Sequence, residues 1–522
     1  MSFRVVAIVV ATSMWFLAAG PQDRGLRAQD RGAAGLRGSP GAAPAGEGRD
    51  PDADTQGQPD RFRMSAERAV AFARAVSSGL DWVPGEVLVA FKPGVTTSQA
   101  ARALSVLREP VGLRAGRWVG GALLVPTPGE DDPGLAAGIL AQQAEVLWAQ
   151  PNYIRRLHAV ATDPGYGSQW NLGLIDAPGA WDISPGGKGG VLVAVVDTGI
   201  TEVSRSFDFQ LWTGQRFEDV LVPYAPNPDI AQGRFVQGRD YALFDAGTPV
   251  LDMSGHGTHV ASTILQSTNN GLGYAGIAYN ARLLPVKACL SQWDMQIIFS
   301  DAGIPGFYDE DGGCSDDAVL AGIRYAADQG AKVINLSLGG PGAAPGYVQA
   351  LRYAVEKGAF VSISGGNNYE DGNEAEAPAM YGRQIDGVMT VGAVGRSRTR
   401  AYYSNTSSGI EIAAPGGNSR DGGSAGVIFQ YGLDSSEFDF ETVKKPRFDR
   451  YRSVGMQGTS MAAPHVAGVA ALLHGQGVTS PGAIEAAIKR LAVDLGKAGV
   501  DDEYGAGLID ARAALRGLGV SR

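Results

Sequence analysis

The chain has 522 residues, 44% of them hydrophobic and 19% charged, with a formal net charge of −10. That composition supports a sizeable buried core, and at roughly 100–200 residues per domain the length allows two to four domains. The acidic balance argues against a nucleic-acid binder, which needs a basic face, and only two cysteines exclude a disulfide-rich scaffold.

The N-terminus reads as an export signal. Met1–Arg4 carries a positive charge, and Val5–Gly20 is an almost unbroken apolar run. It falls short of the roughly 20 residues of a membrane span and ends in the small residues Ala18, Ala19 and Gly20. Residues 1–20 are therefore expected to be a signal peptide, with an uncleaved anchor as the alternative. No later segment is apolar and long enough to span a bilayer, so the expectation is a secreted or extracytoplasmic protein without stable membrane insertion once the signal is removed. Residues 21–60, rich in Gly, Pro, Ala, Asp and Arg, are expected to be a disordered linker. Residues 61–82 form a helical lead-in, with a helix over 65–79 opened by Ser65.

A small α+β domain is expected over 83–158, with strands at 85–91 and 122–126, helices at 97–107 and 135–146, and a closing segment at 146–156. At about 75 residues it is near the size at which a domain can just fold alone. From about Asp163 the pattern changes to short apolar runs at 191–196, 281–288, 332–338, 359–364 and 388–394, separated by helices such as 315–329 and 346–357. Ser315, Asp316 and Asp317 suit a helix start, where free N–H groups welcome side-chain oxygens and negative charge. Apolar strands alternating with helices predict an α/β fold, a three-layer doubly wound and mostly parallel sheet, over 163–516.

Four residues stand out chemically. Asp197 ends the run VLVAVVD, at the carboxyl edge where open α/β sheets gather their sites; capping the turn before Gly199 is the plainer role. His256 lies between glycines in SGHGTHVAS and suits general-base work at a helix start. His259 is three residues on, but the Glu that metalloprotease motifs place between such histidines is missing; His259 is expected to be structural. Ser460 sits where a Gly-Thr turn enters the apolar helix of GTSMAAPHVAGVAAL, with free N–H groups aimed at whatever binds there; a simple N-cap is the alternative. Asn367, just beyond FVSIS, either adopts a left-handed turn or donates its amide to a developing oxyanion.

Together, Asp197-Thr198-Gly199, Gly255-His256-Gly257-Thr258-His259 and Gly458-Thr459-Ser460-Met461-Ala462-Ala463-Pro464-His465 resemble the three signature blocks of the subtilisin-like serine peptidases, in that family's order of Asp, His and Ser. Ser337-Leu338-Gly339-Gly340, Gly366-Asn367, Ala414-Pro415-Gly416-Gly417 and Tyr504-Gly505-Ala506-Gly507 fit the supporting blocks. The resemblance implies a serine endopeptidase with Asp197, His256 and Ser460 as triad and Asn367 in the oxyanion hole. Ser337, Leu338 and Gly339 would pair with extended substrate, and Gly365 and Gly366 would line the pocket for the residue before the cut. It also implies that 83–158, ending in Gln150-Pro151-Asn152-Tyr153, is an inhibitory, chaperone-like propeptide of a self-processing zymogen cut near 157–165. Expected partners are protein or peptide substrates and this propeptide, and the mature enzyme is expected to be monomeric.

The chemistry implied needs no cofactor. Asn269-Asn270-Gly271 and Asp208 resemble parts of a structural calcium site found in some members, with an incomplete ligand set. Ser364 and Gly365 stand where alanines are common in the family. Two segments exceed the simplest members: 289–314, which holds both cysteines and is expected near the substrate channel, and 418–453, whose role is unreadable. In an exported chain, Cys289 and Cys314 are expected to form one disulfide, two free thiols being the alternative. A degenerate binding protein would need a missing triad member, and none is missing; transfer of the acyl group to an amine rather than water would use the same triad.

Overall fold

The computed structural model describes residues 66–517, apart from breaks at 78–79, 81, 108–112, 114–115, 120, 128–132, 155–160, 188, 244–248, 306–311 and 435–445. The expected signal peptide, the expected linker and residues 157–160 of the expected cleavage region lie outside the described residues. The chain divides into two compact units, 1–157 and 158–522.

The first unit contains α1 (Ala66–Ser77), β1 (Trp82–Phe91), α2 (Thr97–Leu104), β2 (Arg117–Val119), β3 (Ala122–Pro126), α3 (Pro133–Ala141) and β4 (Val146–Tyr153). Its antiparallel sheet has the order β2-β3-β1-β4. Val87, Val89, Leu123 and Val125 meet Ala103 and Leu104 of α2 and Ala136, Ala137 and Leu140 of α3 in one core. Thr96 caps α2 with a full capping box completed by Gln99. Helix α3 starts two residues before the predicted 135 and ends five before 146, because Val146 already belongs to β4. Strand β2 escapes prediction: its three residues are all exposed and carry no apolar period. The Arg68 guanidinium holds Glu86 through two hydrogen bonds of 2.6 and 3.1 Å, tying α1 to β1.

The second unit begins with the short helices α4 (Trp170–Leu174) and α5 (Ala177–Trp181), followed by β5 (Leu192–Asp197), the hairpin β6 (Arg205–Trp212) and β7 (Phe217–Tyr224), β8 (Arg239–Asp240), α6 (His256–Leu265) and β9 (Arg282–Lys287). Next come α7 (Gln292–Asp301), α8 (Asp316–Asp328), β10 (Val333–Leu336), β11 (Gly340–Pro341), α9 (Gly346–Glu356), β12 (Phe360–Ser364), β13 (Glu376–Ala377), β14 (Val388–Val394) and β15 (Ile412–Pro415). The hairpin β16 (Ile428–Leu433) and β17 (Tyr451–Met456) precedes α10 (Thr459–Gly475), α11 (Pro481–Arg490) and α12 (Ala511–Arg516). The seven-stranded sheet has the order β15-β14-β12-β10-β5-β9-β8 and every pairing is parallel. The order reverses beside β5, which makes the crevice at its carboxyl end the natural site position.

Side-chain alternation in β5 explains the layers. Val193 and Val195 enter a core shared with α5, α6 and α10; Leu192, Ala194 and Val196 enter a second core shared with α8 and α9. The expected three-layer α/β architecture is what forms. One expected detail changes: Ser315 is the N-cap of α8, but its side chain makes no capping bond, because its hydroxyl is engaged by the Asp317 carboxylate.

The two long segments resolve into structure. Cys289 and Cys314 are joined as a disulfide that closes 289–314, and α7 within it packs on β6. The 418–453 segment supplies β16 and the start of β17. Trp293 of the first segment and Leu433 and Phe448 of the second share a satellite core with Leu211, Val220, Val222, Tyr224, Leu251 and Met253.

Candidate active site

Asp197 closes β5 and is 1% exposed. Its Oδ1 accepts hydrogen bonds from His256 Nδ1 at 2.7 Å and from the Thr198 backbone N–H at 2.7 Å. His256 is the first residue of α6, and its side chain is 16% exposed, so one edge faces the cleft. The approach is possible because residue 257 is glycine: a Cβ there would lie 2.3 Å from Gly199 O and 3.2 Å from Asp197 Cβ.

Asp252 organises the start of α6. Fully buried, it accepts from the backbone N–H groups of Ser254, Gly255 and Thr258, from the Thr258 hydroxyl and from the Thr198 hydroxyl. It thus satisfies orphan donors of the first helical turn and places negative charge where the helix dipole favours it. Burial lowers the His256 pKa, but the Asp197 carboxylate, by charge and hydrogen bond, and the Asp252 charge outweigh it, so the net shift is upward.

Ser460 is the second residue of α10, which is buried along almost its whole length and packs against α6 and against β10, β12, β14 and β15. Gly458 enters this turn at φ 153° and ψ 163°, a conformation essentially reserved to glycine. The Ser460 hydroxyl donates to Ser337 O at 3.3 Å rather than to His256. Such catalytic contacts are often long or misaligned before substrate binds.

Asn367 lies just past β12. Its Oδ1 accepts from the Thr459 backbone N–H at 2.8 Å and from the Thr459 hydroxyl at 2.9 Å, while that hydroxyl accepts from Gly366 N–H at 3.1 Å. With the carbonyl end so committed, the exposed residue presents its Nδ2 donors outward beside the N-terminus of α10. The structure therefore brings Asp197 to His256, and Asn367 to the turn that carries Ser460. Thr459 and Asp252 were not singled out in the sequence. Thr459 was visible only as a motif letter, and Asp252 carried no signal apart from preceding SGHGTH.

Ser337, Leu338 and Gly339 continue beyond β10 without a strand partner. The Ser337 hydroxyl donates to Ser460 O at 2.8 Å, and Leu338 O accepts from the Ser364 hydroxyl at 3.3 Å. Gly365 and Gly366 continue beyond the neighbouring β12. Both remaining histidines of the motifs are buried: His259 Nε2 donates to Ile428 O at 3.0 Å, and His465 Nδ1 donates to Met461 O while its Nε2 accepts from Asn171. Burial pushes their pKa values down to about 3 and about 4 respectively, keeping both neutral.

The calcium-like residues are placed as follows. The backbone N–H groups of Asn269 and Asn270 donate to Asp163, and Asn270 Nδ2 donates to Asp229. Asp208 lies on β6, opposite Leu221. Among the described residues, no group of three or more His, Cys, Asp or Glu is arranged to hold a metal ion.

Comparison with known proteins adds a family and relatives. The sequence profile described as the subtilase family matches residues 188–507. The chain is 34% identical over 332 residues to thermitase of Thermoactinomyces vulgaris, covering 63% of this chain and 90% of the relative. It is 30% identical over 428 residues to a thermophilic serine proteinase of Bacillus sp. (strain AK1), covering 81% and 86%. A solved structure of proteases from Pseudoalteromonas arctica PAMC 21717 matches with a TM-score of 0.51 and 28% identity, covering 69% of this chain and 99% of that one.

Proposed function

The chain belongs to the subtilase family of subtilisin-like serine endopeptidases, and from that premise we propose that Asp197, His256 and Ser460 are its catalytic triad and Asn367 its oxyanion donor. The observation that carries the reading is the 2.7 Å contact between His256 Nδ1 and Asp197 Oδ1. With Nδ1–H donating to the carboxylate, Nε2 is left as the basic nitrogen.

Ser460 Oγ turns from Ser337 O to His256 Nε2 and attacks the scissile carbonyl carbon. Its proton passes to Nε2, and the carbonyl oxygen becomes an oxyanion held by Asn367 Nδ2 and the Ser460 backbone N–H. The C–N bond then breaks as Nε2 returns the proton to the leaving amine, and an acyl-enzyme remains. Water, deprotonated by His256, reverses the sequence and frees the acid.

Residues 83–158 are the inhibitory propeptide of a self-processing precursor in this reading, and residues 1–20 direct its export. Two features support it: a separate α+β unit precedes the catalytic unit, and Val5–Gly20 is apolar. No helix among the described residues is long and apolar enough to cross a membrane.

The test compares wild type with Ser460→Ala, using unfolded casein and a serine-directed fluorophosphonate. Wild type should label, cleave and lose residues 83–158; the variant should do none of these. Normal maturation of purified Ser460→Ala without another protease would exclude self-processing, and a wild type that neither labels nor cleaves would overturn the peptidase assignment.

A further inference from the structure

Two chain segments frame the cleft beside Ser460. One is 337–339, joined to it through the Ser460 hydroxyl and Ser337 O; the other is 365–367, joined through Gly366 N–H and the Thr459 hydroxyl. They leave adjacent parallel strands, β10 and β12, at the same edge. A peptide whose carbonyl lies between Ser460 and Asn367 must drop its side chain on the acyl side of the scissile bond between these segments.

A carboxylate occupies the floor of that gap. Glu376 lies on the two-residue strand β13, which pairs with β11 immediately after 337–339, Pro341 opposite Glu376. A Cβ built on Gly339 would lie 2.5 Å from Glu376 Oε2, and one built on Gly366 would lie 3.0 Å from Glu376 Cδ. The carboxyl group thus rests against the bare Cα faces of both glycines. Its residue is half-buried, partly withdrawn from water. Burial pushes its pKa up, and the Asn367 backbone N–H offsets only part of that. Among the described residues no Lys or Arg pairs with it, whereas Glu370 in the same loop pairs with Arg420.

We propose that Glu376 selects an arginine or lysine immediately before the cut. A half-buried carboxylate without a counter-charge is poorly solvated, and a cationic side chain supplies both charge and donors. Glycine at 339 and 366 lets the carboxyl group lie against the backbone of both segments, where the charge at the end of a long methylene stem can meet it. A large uncharged side chain would cover the carboxylate and leave it only the Asn367 backbone N–H in place of water. The inference rests on the peptidase reading of the same site.

The test uses succinyl-Ala-Ala-Pro-Xaa-4-nitroanilides with Xaa as Arg, Lys, Phe or Leu, on the matured enzyme. Wild type should favour Arg and Lys over Phe by roughly 30-fold or more in kcat/KM, the range for a charge pair withdrawn from water. Glu376→Gln, which keeps shape and loses charge, should bring that ratio close to one while still labelling with fluorophosphonate. Sequencing casein fragments should show cuts after Arg and Lys. A wild type that favours Phe or Leu would overturn the proposal, as would a Glu376→Gln variant with an unchanged ratio and a uniformly lower kcat, which would make Glu376 only a support for Asn367. Labelling and cleavage without basic preference would remove this inference alone, whereas absence of both would remove the peptidase reading with it.

Discussion

His256 is held between opposing forces, and the balance sets a measurable pH dependence. Burial disfavours its charged form, while Asp197 and Asp252 favour it and win, lifting the pKa above the ordinary 6.5. A general base must be neutral to take the Ser460 proton, so kcat/KM should rise with pH through a midpoint above 6.5 and level off beyond it. A midpoint well below 6.5 in the pH–rate profile would contradict the Asp197 contact. Thr459 belongs to the same scale as a positioning residue. Thr459→Val removes the hydroxyl that holds the Asn367 carbonyl, and kcat should fall about tenfold with KM nearly unchanged, since the oxyanion contact forms only in the transition state. Thr459→Ser should restore the rate; failure of that rescue would assign the loss to packing. Asp197, His256, Ser460 and Asn367, the proposed site residues, stand out in the sequence because each sits in a short motif whose letters are neighbours. Thr459 and Glu376 act across the fold, Thr459 meeting Asn367 across 92 residues, and Asp252 adds to its local bonds one to Thr198 across 54. No local pattern records such pairings.

Among the elements, β5, β9, β10, β12 and β14 were readable as continuous apolar runs because a sheet covered on both faces leaves no polar side. The largest shift is at β10, which ends at Leu336 rather than 338 because Ser337 and Leu338 leave the ladder beside the site. The hairpins β6–β7 and β16–β17 went unread, since what fixes them is the satellite core they build with each other and with α7. Their own sequence does not carry that information. The disulfide belongs to the same region. It closes a segment with a sequence separation of 25, so replacing both Cys289 and Cys314 by Ser should destabilise the catalytic unit by roughly 2–4 kcal/mol, read as a lower unfolding midpoint. Alkylation of both thiols in unreduced protein would contradict the bridge. Asp294 inside it and Lys287, the last residue of β9 before it, form an ion pair with no exposed surface, and Lys287 Nζ also donates to Thr198 O. The closed segment is thereby anchored to the residue after Asp197.

In the catalytic unit as a whole, the satellite core is the structural addition with most leverage on the site. Its inner wall is Leu251 and Met253, the approach to Asp252 and His256. Phe448 is fully buried there, with ring centroids 5.1 Å from Tyr224 and 6.2 Å from Trp293. Phe448→Ala should therefore cost about 3–5 kcal/mol of stability, measured by denaturant unfolding. A loss below about 1 kcal/mol, within the range of surface changes, would show that the hairpins are decoration. A different consequence follows from α10. Asp197 and His256 occur early in the catalytic unit, but Ser460, the proposed nucleophile, arrives on a helix that packs against four strands of the sheet and is encoded after all of them. In the proposed reading, a nascent chain carries no nucleophile until residue 460 has been synthesised and no shaped site until that helix has docked. On that reading, order of synthesis works as a safety catch: a chain that stops short of residue 460 cannot digest its neighbours.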